Sequence, residues 1–148
     1  SRSLVPLFGS SISSASTVVR LYIKGCVIST DDSADEIAEC LPHSKSLEVL
    51  SLTSCSITPM GATKIARGLK QNNTLRRLNL DDNSIGDEGF IALASTLPHV
   101  TLTSLSVNKN SISDASMGIQ GLSQIDELHL KNNQITEQKN HEKKMIRS

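Results

Sequence analysis

The stretch that decides the fold is Leu75-Arg-Arg-Leu-Asn-Leu-Asp-Asp-Asn-Ser-Ile85, which has the pattern L-x-x-L-x-L-x-x-N-x-I. The chain contains this block five times, with substitutions, the other copies being residues 18–28, 47–57, 102–112 and 125–135. The first residues of successive copies lie 29, 28, 27 and 23 positions apart. A period of this length predicts a stack of similar units that share one core.

Apolar alternation within the block predicts a short strand. Positions 4 and 6, such as Leu78 and Leu80, are two residues apart and therefore lie on the same face of a strand. Positions 1 and 11 are also apolar in every copy, so we expect them to point into the same interior. Position 9 is Cys26, Cys55, Asn83, Asn110 and Asn133. An asparagine there can satisfy backbone groups where the chain turns off the strand, and a cysteine fits the place as a small apolar residue.

Three segments between the blocks carry apolar residues at the spacing i, i+3, i+4, i+7. They are Ala34, Ile37, Ala38 and Leu41; Ala62, Ile65, Ala66 and Leu69; and Phe90, Leu93, Ala94 and Leu97. This spacing predicts amphipathic helices with one buried face. Thr58-Pro59 is typical of a helix start, and Pro42 and Pro98 are typical of residues that follow a helix end.

The fourth unit is shorter than the others. Its stripe is Ala115, Gly118, Ile119 and Leu122, and the two glycines Gly118 and Gly121 disfavour a helix. We therefore predict an outer segment of one or two turns with 3₁₀ character in this unit.

Packing distances predict the shape of the stack. Neighbouring strands lie about 4.8 Å apart, whereas neighbouring helices need about 10 Å. The helices must therefore splay on the outside of an arc, with a parallel sheet on the inside.

The segment 65–89, IARGLKQNNTLRRLNLDDNSIGDEG, resembles the repeats of the ribonuclease-inhibitor-like subfamily of leucine-rich repeat proteins. Its pattern L-K-x-N-x-T-L-x-x-L-x-L-x-x-N-x-I-x-x-x-G is especially similar to the carboxy-terminal repeats of NOD-like receptors, which are intracellular innate-immune sensors. The resemblance implies an α/β solenoid, a right-handed horseshoe arc with parallel strands on its concave face and helices on its convex face.

We expect residues 1–148 to form a single leucine-rich repeat domain. Residues 1–17 are interpreted as the remnant helix of a preceding repeat, residues 18–135 as five strand-bearing repeats, and residues 136–148 as a terminal helix or charged tail. Because the chain begins without Met, we expect it to be a fragment of a larger protein.

Charge and motifs exclude several classes of function. The 15 basic and 15 acidic residues cancel, which argues against a nucleic-acid or membrane-surface partner. No P-loop, G-x-S-x-G or paired-cysteine zinc motif occurs. His141-Glu142 begins like a zinc-protease helix, but residue 145 is Met, so the second histidine ligand is missing. We therefore expect no enzymatic activity, no cofactor and no metal.

The cysteines and the glycosylation sequon indicate the cellular compartment in which the protein is expected. Cys26 and Cys55 are expected on neighbouring coils, within reach of a disulfide. We favour two reduced buried thiols, since Cys40 has no evident partner and the total is odd. A reducing, cytoplasmic setting follows. The sequon Asn72-Asn73-Thr74 is interpreted as a chance match in a loop.

The candidate binding surface consists of the block positions that point away from the core. These residues vary between units while the apolar positions stay nearly fixed, which favours a protein partner on the concave face. The predicted contact residues are Arg20, Tyr22, Lys24, Ser51, Thr53, Arg77, Asn79, Asp81, Ser106, Asn108, His129 and Lys131. Tyr22 and Arg77 are residue types often found as interface anchors.

A competing surface lies on the helical side. Lys64, Arg67, Lys70 and Gln71 fall on the outward face of the second predicted helix, where they could form a basic convex patch. A solvated helix face is the simpler interpretation.

The resemblance implies a function as a non-enzymatic interaction module. In NOD-like receptors this domain senses ligands or holds a larger intracellular receptor inactive, and nucleotide binding lies in a separate domain that this sequence lacks. Two alternatives share nearly the same repeat: a GTPase regulator similar to Ran GTPase-activating proteins, and a binder similar to ribonuclease inhibitor. The oligomeric state is not predicted.

Overall fold

The computed structural model describes residues 17–28 and 31–136. The interpretations of residues 1–17 as a remnant helix and of residues 136–148 as a tail fall outside the described residues, except for Thr17 and Thr136. Those two residues lie outside helices and strands.

Five parallel strands form one sheet in the order in which they occur along the chain. They are β1 Arg20–Lys24, β2 Val49–Thr53, β3 Arg77–Asn79, β4 Ser104–Ser106 and β5 Glu127–His129. The position-4 leucines meet in register, and their order across the last four strands is Leu50, Leu78, Leu105 and Leu128. All four are buried, so the predicted strand alternation is confirmed.

Among the described residues, three α-helices pack side by side on the other side of the core. They are α1 Asp31–Cys40, α2 Pro59–Leu69 and α3 Gly86–Thr96. Every residue of the three predicted stripes is buried. Thr58 caps α2, because its hydroxyl oxygen accepts a hydrogen bond from the Gly61 N–H at 3.0 Å. The chain is therefore an α/β solenoid, with a nearly aliphatic core between sheet and helices.

The helix ends differ slightly from the prediction. Leu41–His43 and Leu97–His99 form 3₁₀ turns directly after α1 and α3. Each turn contains the proline that was expected to follow the helix. The α-helix ends before the proline, but the tighter turn still buries Leu41 and Leu97.

The fourth unit contains two 3₁₀ segments, Asp114–Ser116 and Gln120–Gln124, as the two glycines indicated. The predicted stripe is half right: Leu122 is buried and Ile119 half-buried, but Ala115 and Gly118 are exposed, whereas Met117 and Gly121 are buried. A helix of three residues per turn, broken into two pieces, does not keep the face that an α-helix would present. Gly121 also has a packing role. A Cβ atom there would lie 2.1 Å from the carbonyl oxygen of Ala94.

The position-9 asparagines bind backbone groups of two coils at once. The Asn83 side-chain oxygen accepts from the N–H groups of Cys55 and Ile57 at 2.9 and 3.0 Å. Its side-chain nitrogen donates to the carbonyls of Leu52 and Leu80 at 2.9 and 2.8 Å. Because three of these partners, Cys55, Ile57 and Leu52, belong to the preceding coil, Asn83 ties neighbouring units together.

Asn110 and Asn133 repeat this arrangement one and two coils further on. Asn110 accepts from the Ile85 N–H at 3.2 Å and donates to the Leu80 carbonyl at 2.8 Å. Asn133 accepts from the Ile112 N–H at 3.0 Å and donates to the Val107 carbonyl at 2.9 Å. The expected role of position 9 in satisfying buried backbone groups is confirmed, and it extends across coils.

Cysteine occupies the same position in the first two coils. Cys26, Cys40 and Cys55 are free thiols. The Cys55 sulfur lies 3.3 Å from the Thr53 carbonyl oxygen, and burial raises the pKa of the Cys55 thiol. A thiol with a raised pKa is protonated and poorly reactive at neutral pH.

Asn72 has a structural role that the sequence did not reveal. It is 5% exposed, and its side-chain nitrogen donates to the Leu41 carbonyl at 2.8 Å. Its side-chain oxygen accepts from the N–H groups of Thr74 and Leu75 at 3.0 and 2.8 Å. The side-chain nitrogen that glycosylation would modify is therefore buried and bonded in the folded chain.

Replacing Asn83 with alanine tests the cross-coil bonds. Asn83→Ala leaves the N–H groups of Cys55 and Ile57 without their acceptor inside the core. We expect the free energy of unfolding in urea to fall by at least about 2 kcal/mol, because each unsatisfied buried group costs about 1–3 kcal/mol. The control is Asn73→Ala, since Asn73 is exposed and its side chain makes no hydrogen bond among the described residues. Equal losses in the two variants would contradict the assignment.

A second prediction concerns Asp87 in the first turn of α3. Its carboxylate accepts from the N–H and the hydroxyl of Ser113 at 2.8 and 2.5 Å. Partial burial acts to raise the pKa of Asp87, but the Ser113 hydrogen bonds outweigh it and hold the pKa below its usual range. We expect Asp87→Asn to lower the free energy of unfolding at neutral pH by about 1 kcal/mol.

The stabilising contribution of Asp87 should depend on pH. Because the pKa of Asp87 is lower in the folded chain, its contribution is present above the unfolded pKa of about 3.9 and is lost as pH falls through the folded pKa. The difference between wild type and Asp87→Asn should therefore shrink in urea titrations from about pH 6 down to about pH 2. Asp126→Asn, at an exposed residue, serves as the control. A difference that stays constant with pH would refute this role.

Candidate protein-binding face

The outward side of β1–β5, here called the sheet face, arranges its side chains in rows that cross the strands. One row consists of Arg20, Val49, Arg77, Ser104 and Glu127. The next row consists of Tyr22, Ser51, Asn79, Ser106 and His129. Neighbours within a row are about 4.8 Å apart, so one partner segment can contact several coils.

The sheet face contains an open depression of about 850 Å³. Nine of the twelve predicted contact residues line it, namely Arg20, Tyr22, Ser51, Arg77, Asn79, Asp81, Ser106, Asn108 and His129. Lys24, Thr53 and Lys131 do not line it. All three are position-7 residues of the outer coils, whereas the position-7 residues of the two coils with β3 and β4, Asp81 and Asn108, do line it.

The depression extends further toward the amino-terminal ends of the strands than the sequence indicated. Glu48, Arg76 and Thr103, which occupy block position 2, line this edge. Val49, Ser104 and Glu127 of the first row line it as well but were not among the predicted contacts. A signal for the edge was present, because position 2 is polar in all three of these copies.

The centre of the sheet face is held by hydrogen bonds among its own side chains. Asp81 accepts from the Ser106 hydroxyl at 2.6 Å and from the Asn108 N–H at 2.8 Å. Asn79 accepts from the Asp81 N–H at 2.8 Å. Both bonds to Asp81 are made by its Oδ1, and the Asn108 side-chain nitrogen lies 3.4 Å from its Oδ2, so Asp81, Asn79, Ser106 and Asn108 together form a fixed polar floor.

The end of the face near β1 is different. Tyr22 is 67% exposed. Arg20 and Arg77 are exposed, and among the described residues neither guanidinium has a hydrogen-bond or ion-pair partner. These three side chains are free to contact a partner. At the opposite end, His129 lies 3.7 Å from the Glu127 carboxylate.

The convex alternative is weakened by ion pairs. Asp35 of α1 binds Lys64 at 3.0 Å and Arg67 at 3.1 Å, both from α2. The hydrogen bond from Lys64 and, to a smaller extent, the hydrogen bond and positive charge of Arg67 lower the pKa of Asp35. Two of the three predicted basic residues therefore share a carboxylate, and only Lys70 remains as an unpaired cation of that set.

Two other kinds of site are not found in the part of the chain that the structure describes. Within residues 17–28 and 31–136, no group of His, Cys, Asp and Glu side chains could hold a metal ion. In the same part of the chain, no helix is long and apolar enough to span a lipid bilayer.

Replacing Asp81 tests whether it is part of the floor. Asp81→Ala removes the acceptor of the Ser106 hydroxyl and the Asn108 N–H, and we expect a loss of about 1–3 kcal/mol in the free energy of unfolding. Lys131→Ala removes an exposed side chain from the same block position and should change stability by less than about 0.5 kcal/mol. Denaturant titration of both variants decides the matter, and equal stabilities would show that Asp81 is not structural.

The comparisons with known proteins agree with this geometry. The sequence profile described as Leucine Rich repeat matches residues 43–66 and 71–94. The chain is 33% identical over 98 residues to mouse NACHT, LRR and PYD domains-containing protein 4B, covering 64% of this chain and 11% of that protein. It is 34% identical over 68 residues to pig ribonuclease inhibitor, covering 45% of this chain and 15% of that protein.

The structure of leiomodin-1 actin-binding site 2 has the same fold. Its TM-score is 0.61 at 20% identity, over 88% of this chain and 64% of that chain. The chain spans only about a tenth of the NACHT-containing relative named above. With the repeat profile, the parallel sheet and the helical layer in agreement, the chain has the leucine-rich repeat fold, with repeats similar to those of ribonuclease inhibitor and of the NACHT- and LRR-containing proteins.

Proposed function

We propose that the chain binds a protein partner in the depression of its sheet face. The observation that carries this proposal is the combination of a fixed polar floor around Asp81 with free side chains at Arg20, Tyr22 and Arg77. Exposed Tyr and Arg side chains beside ordered polar groups are the composition that protein interfaces favour.

The proposed setting is a larger receptor of the NOD-like type in the cytoplasm, where this domain senses a ligand or holds the receptor inactive. Support comes from the similarity to NACHT, LRR and PYD domains-containing proteins, which covers 64% of this chain for the mouse proteins 4B and 14. A role in innate immunity is part of the same proposal.

Mixed charge favours a protein over a polyanion. The depression combines Arg20, Arg76 and Arg77 with Glu48 and Glu127. Nucleic acids are bound mainly through several basic contacts to phosphates, which acidic neighbours oppose. We infer that neither a nucleic acid nor a membrane surface is the partner.

An arginine in the centre of the depression tests the proposal. Ser104 lies between Arg77 and Glu127 in its row, and its side chain makes no hydrogen bond among the described residues. Ser104→Arg should fill the depression without disturbing the floor. Partners retained from a cell extract by the wild-type chain would be purified, and their affinity measured by calorimetry. We expect at least about a tenfold weaker Kd for Ser104→Arg, or about 1.4 kcal/mol.

The matched control is Gln71→Arg, which adds the same charge at an exposed residue following α2. It should bind as the wild type does, and both variants should melt at the same temperature as the wild type. Unchanged affinity of Ser104→Arg for every purified partner would reject the sheet face as the binding surface.

Inhibition of a ribonuclease is a second candidate. The similarity to pig ribonuclease inhibitor favours it, although that similarity covers 45% of this chain. A ribonuclease assay with and without the chain separates this candidate from the first.

A further inference from the structure

The two free arginines of the sheet face stand in one row on either side of Val49. Arg20 pairs with Val49 across β1 and β2, and Val49 pairs with Arg77 across β2 and β3. Two strand spacings separate the arginine backbones by about 10 Å. Tyr22 lies two residues further along β1 and is 67% exposed.

The carboxylates near Arg20 and Arg77 do not bind them, so both arginines are available to a partner. Three carboxylates line the depression, those of Glu48, Asp81 and Glu127, and Glu127 lies in the same row as Arg77, two strands away. The Asp81 oxygens accept from Ser106 and Asn108. Among the described residues, Glu48 makes no ion pair with either arginine. The two guanidiniums therefore keep their full donor capacity toward solvent.

We propose that this end of the sheet face selects an acidic segment of the partner protein, with one carboxylate bound by Arg20 and a second by Arg77. The inference rests on the proposed function and names the chemistry of the partner. A guanidinium binds a carboxylate with two parallel hydrogen bonds, which makes arginine suited to this recognition. Val49 and Tyr22 offer apolar surface to the residues between the two acids.

The arginine spacing sets the spacing of the acids. A segment in the polyproline II conformation has three residues per turn and advances about 3.1 Å per residue, so side chains three positions apart lie on one face, about 9 Å apart. The preferred sequence is therefore Asp or Glu, two other residues, and Asp or Glu again. An apolar or aromatic residue between the acids would contact Val49 and Tyr22.

Acidic residues around the pair limit the length of the anionic segment. Glu48 lies at the edge of the depression and Glu127 at its far end, so a third or fourth partner carboxylate would meet a like charge. A nucleic-acid backbone carries a charge at every nucleotide and would meet the same repulsion. The site is suited to a short acidic motif of a protein.

A random peptide library displayed on phage provides the probe. Panning against the whole 148-residue chain should enrich peptides with two acids three positions apart. A synthetic peptide of the enriched sequence should bind at least about tenfold more weakly to the double variant Arg20→Gln, Arg77→Gln, since two charge-assisted contacts are lost. The control double variant Lys45→Gln, Lys70→Gln removes the same charge from exposed residues outside the depression and should bind as the wild type does.

The outcomes separate this inference from the proposed function. For an acidic peptide the depression is filled with the uncharged variant Ser104→Trp, because an added arginine beside Arg77 would itself attract the acids. If Ser104→Trp abolishes binding of the enriched peptides, but these peptides lack acids or bind the arginine double variant normally, the acidic partner is overturned and the binding face stands. Peptides that bind Ser104→Trp as well as the wild type count against the face itself. Three further outcomes would also overturn the acidic-segment inference. They are equal weakening of binding in the lysine and arginine double variants, displacement of the peptide by heparin at equal concentration, and no enrichment of any peptide.

Discussion

The register of the position-4 leucines is the constraint on which the rest of the molecule depends. Leu50, Leu78, Leu105 and Leu128 meet across neighbouring strands, and each faces the aliphatic core. A slip of one residue in any strand would send its leucine to the solvent side and bring a polar residue inside. The register is therefore strongly specified, and it fixes the outward rows at the same time. The asparagines support it, because each binds backbone groups of two coils, which holds adjacent turns at one spacing.

Most of this fold could be predicted because its signals are local and repeated. The block alternation, the helical stripes and the Thr58 cap each depend on a few adjacent residues, and every additional copy strengthens the assignment. The fourth unit is predicted less well. Two of its four stripe residues were wrong, since Met117 and Gly121 rather than Ala115 and Gly118 are buried. Gly121 is buried against the Ala94 carbonyl, where a Cβ atom would not fit, and such a contact between units leaves no signal in the local spacing of apolar residues.

The candidate site, like the fold, was predicted in part. Strand alternation was enough to predict which side chains point outward, and nine of the twelve line the depression. Alternation gave no information about which of them are already bonded to one another. The bond between Ser106 and Asp81 joins residues 25 positions apart and depends on side-chain rotamers. The edge at Glu48 and Arg76 was missed because position 2 precedes the strand, where the alternation rule does not define a face. The sequence therefore outlined the surface, and only the structure separated its floor from its free groups.

This separation has an energetic consequence for binding. A partner that contacts the floor meets side chains whose conformations are already fixed by Asp81, so little conformational entropy is lost there. Ordering Arg20 and Arg77 costs about 0.5–1.5 kcal/mol for each side chain, and only strong, directed contacts offset that cost. Tyr22 is ordered more cheaply, because a tyrosine has two side-chain torsions and a large contact area. The floor thus supplies shape at low cost, whereas the arginines improve affinity only for a partner that carries the complementary charge. Discrimination between partners is consequently concentrated in the first three coils.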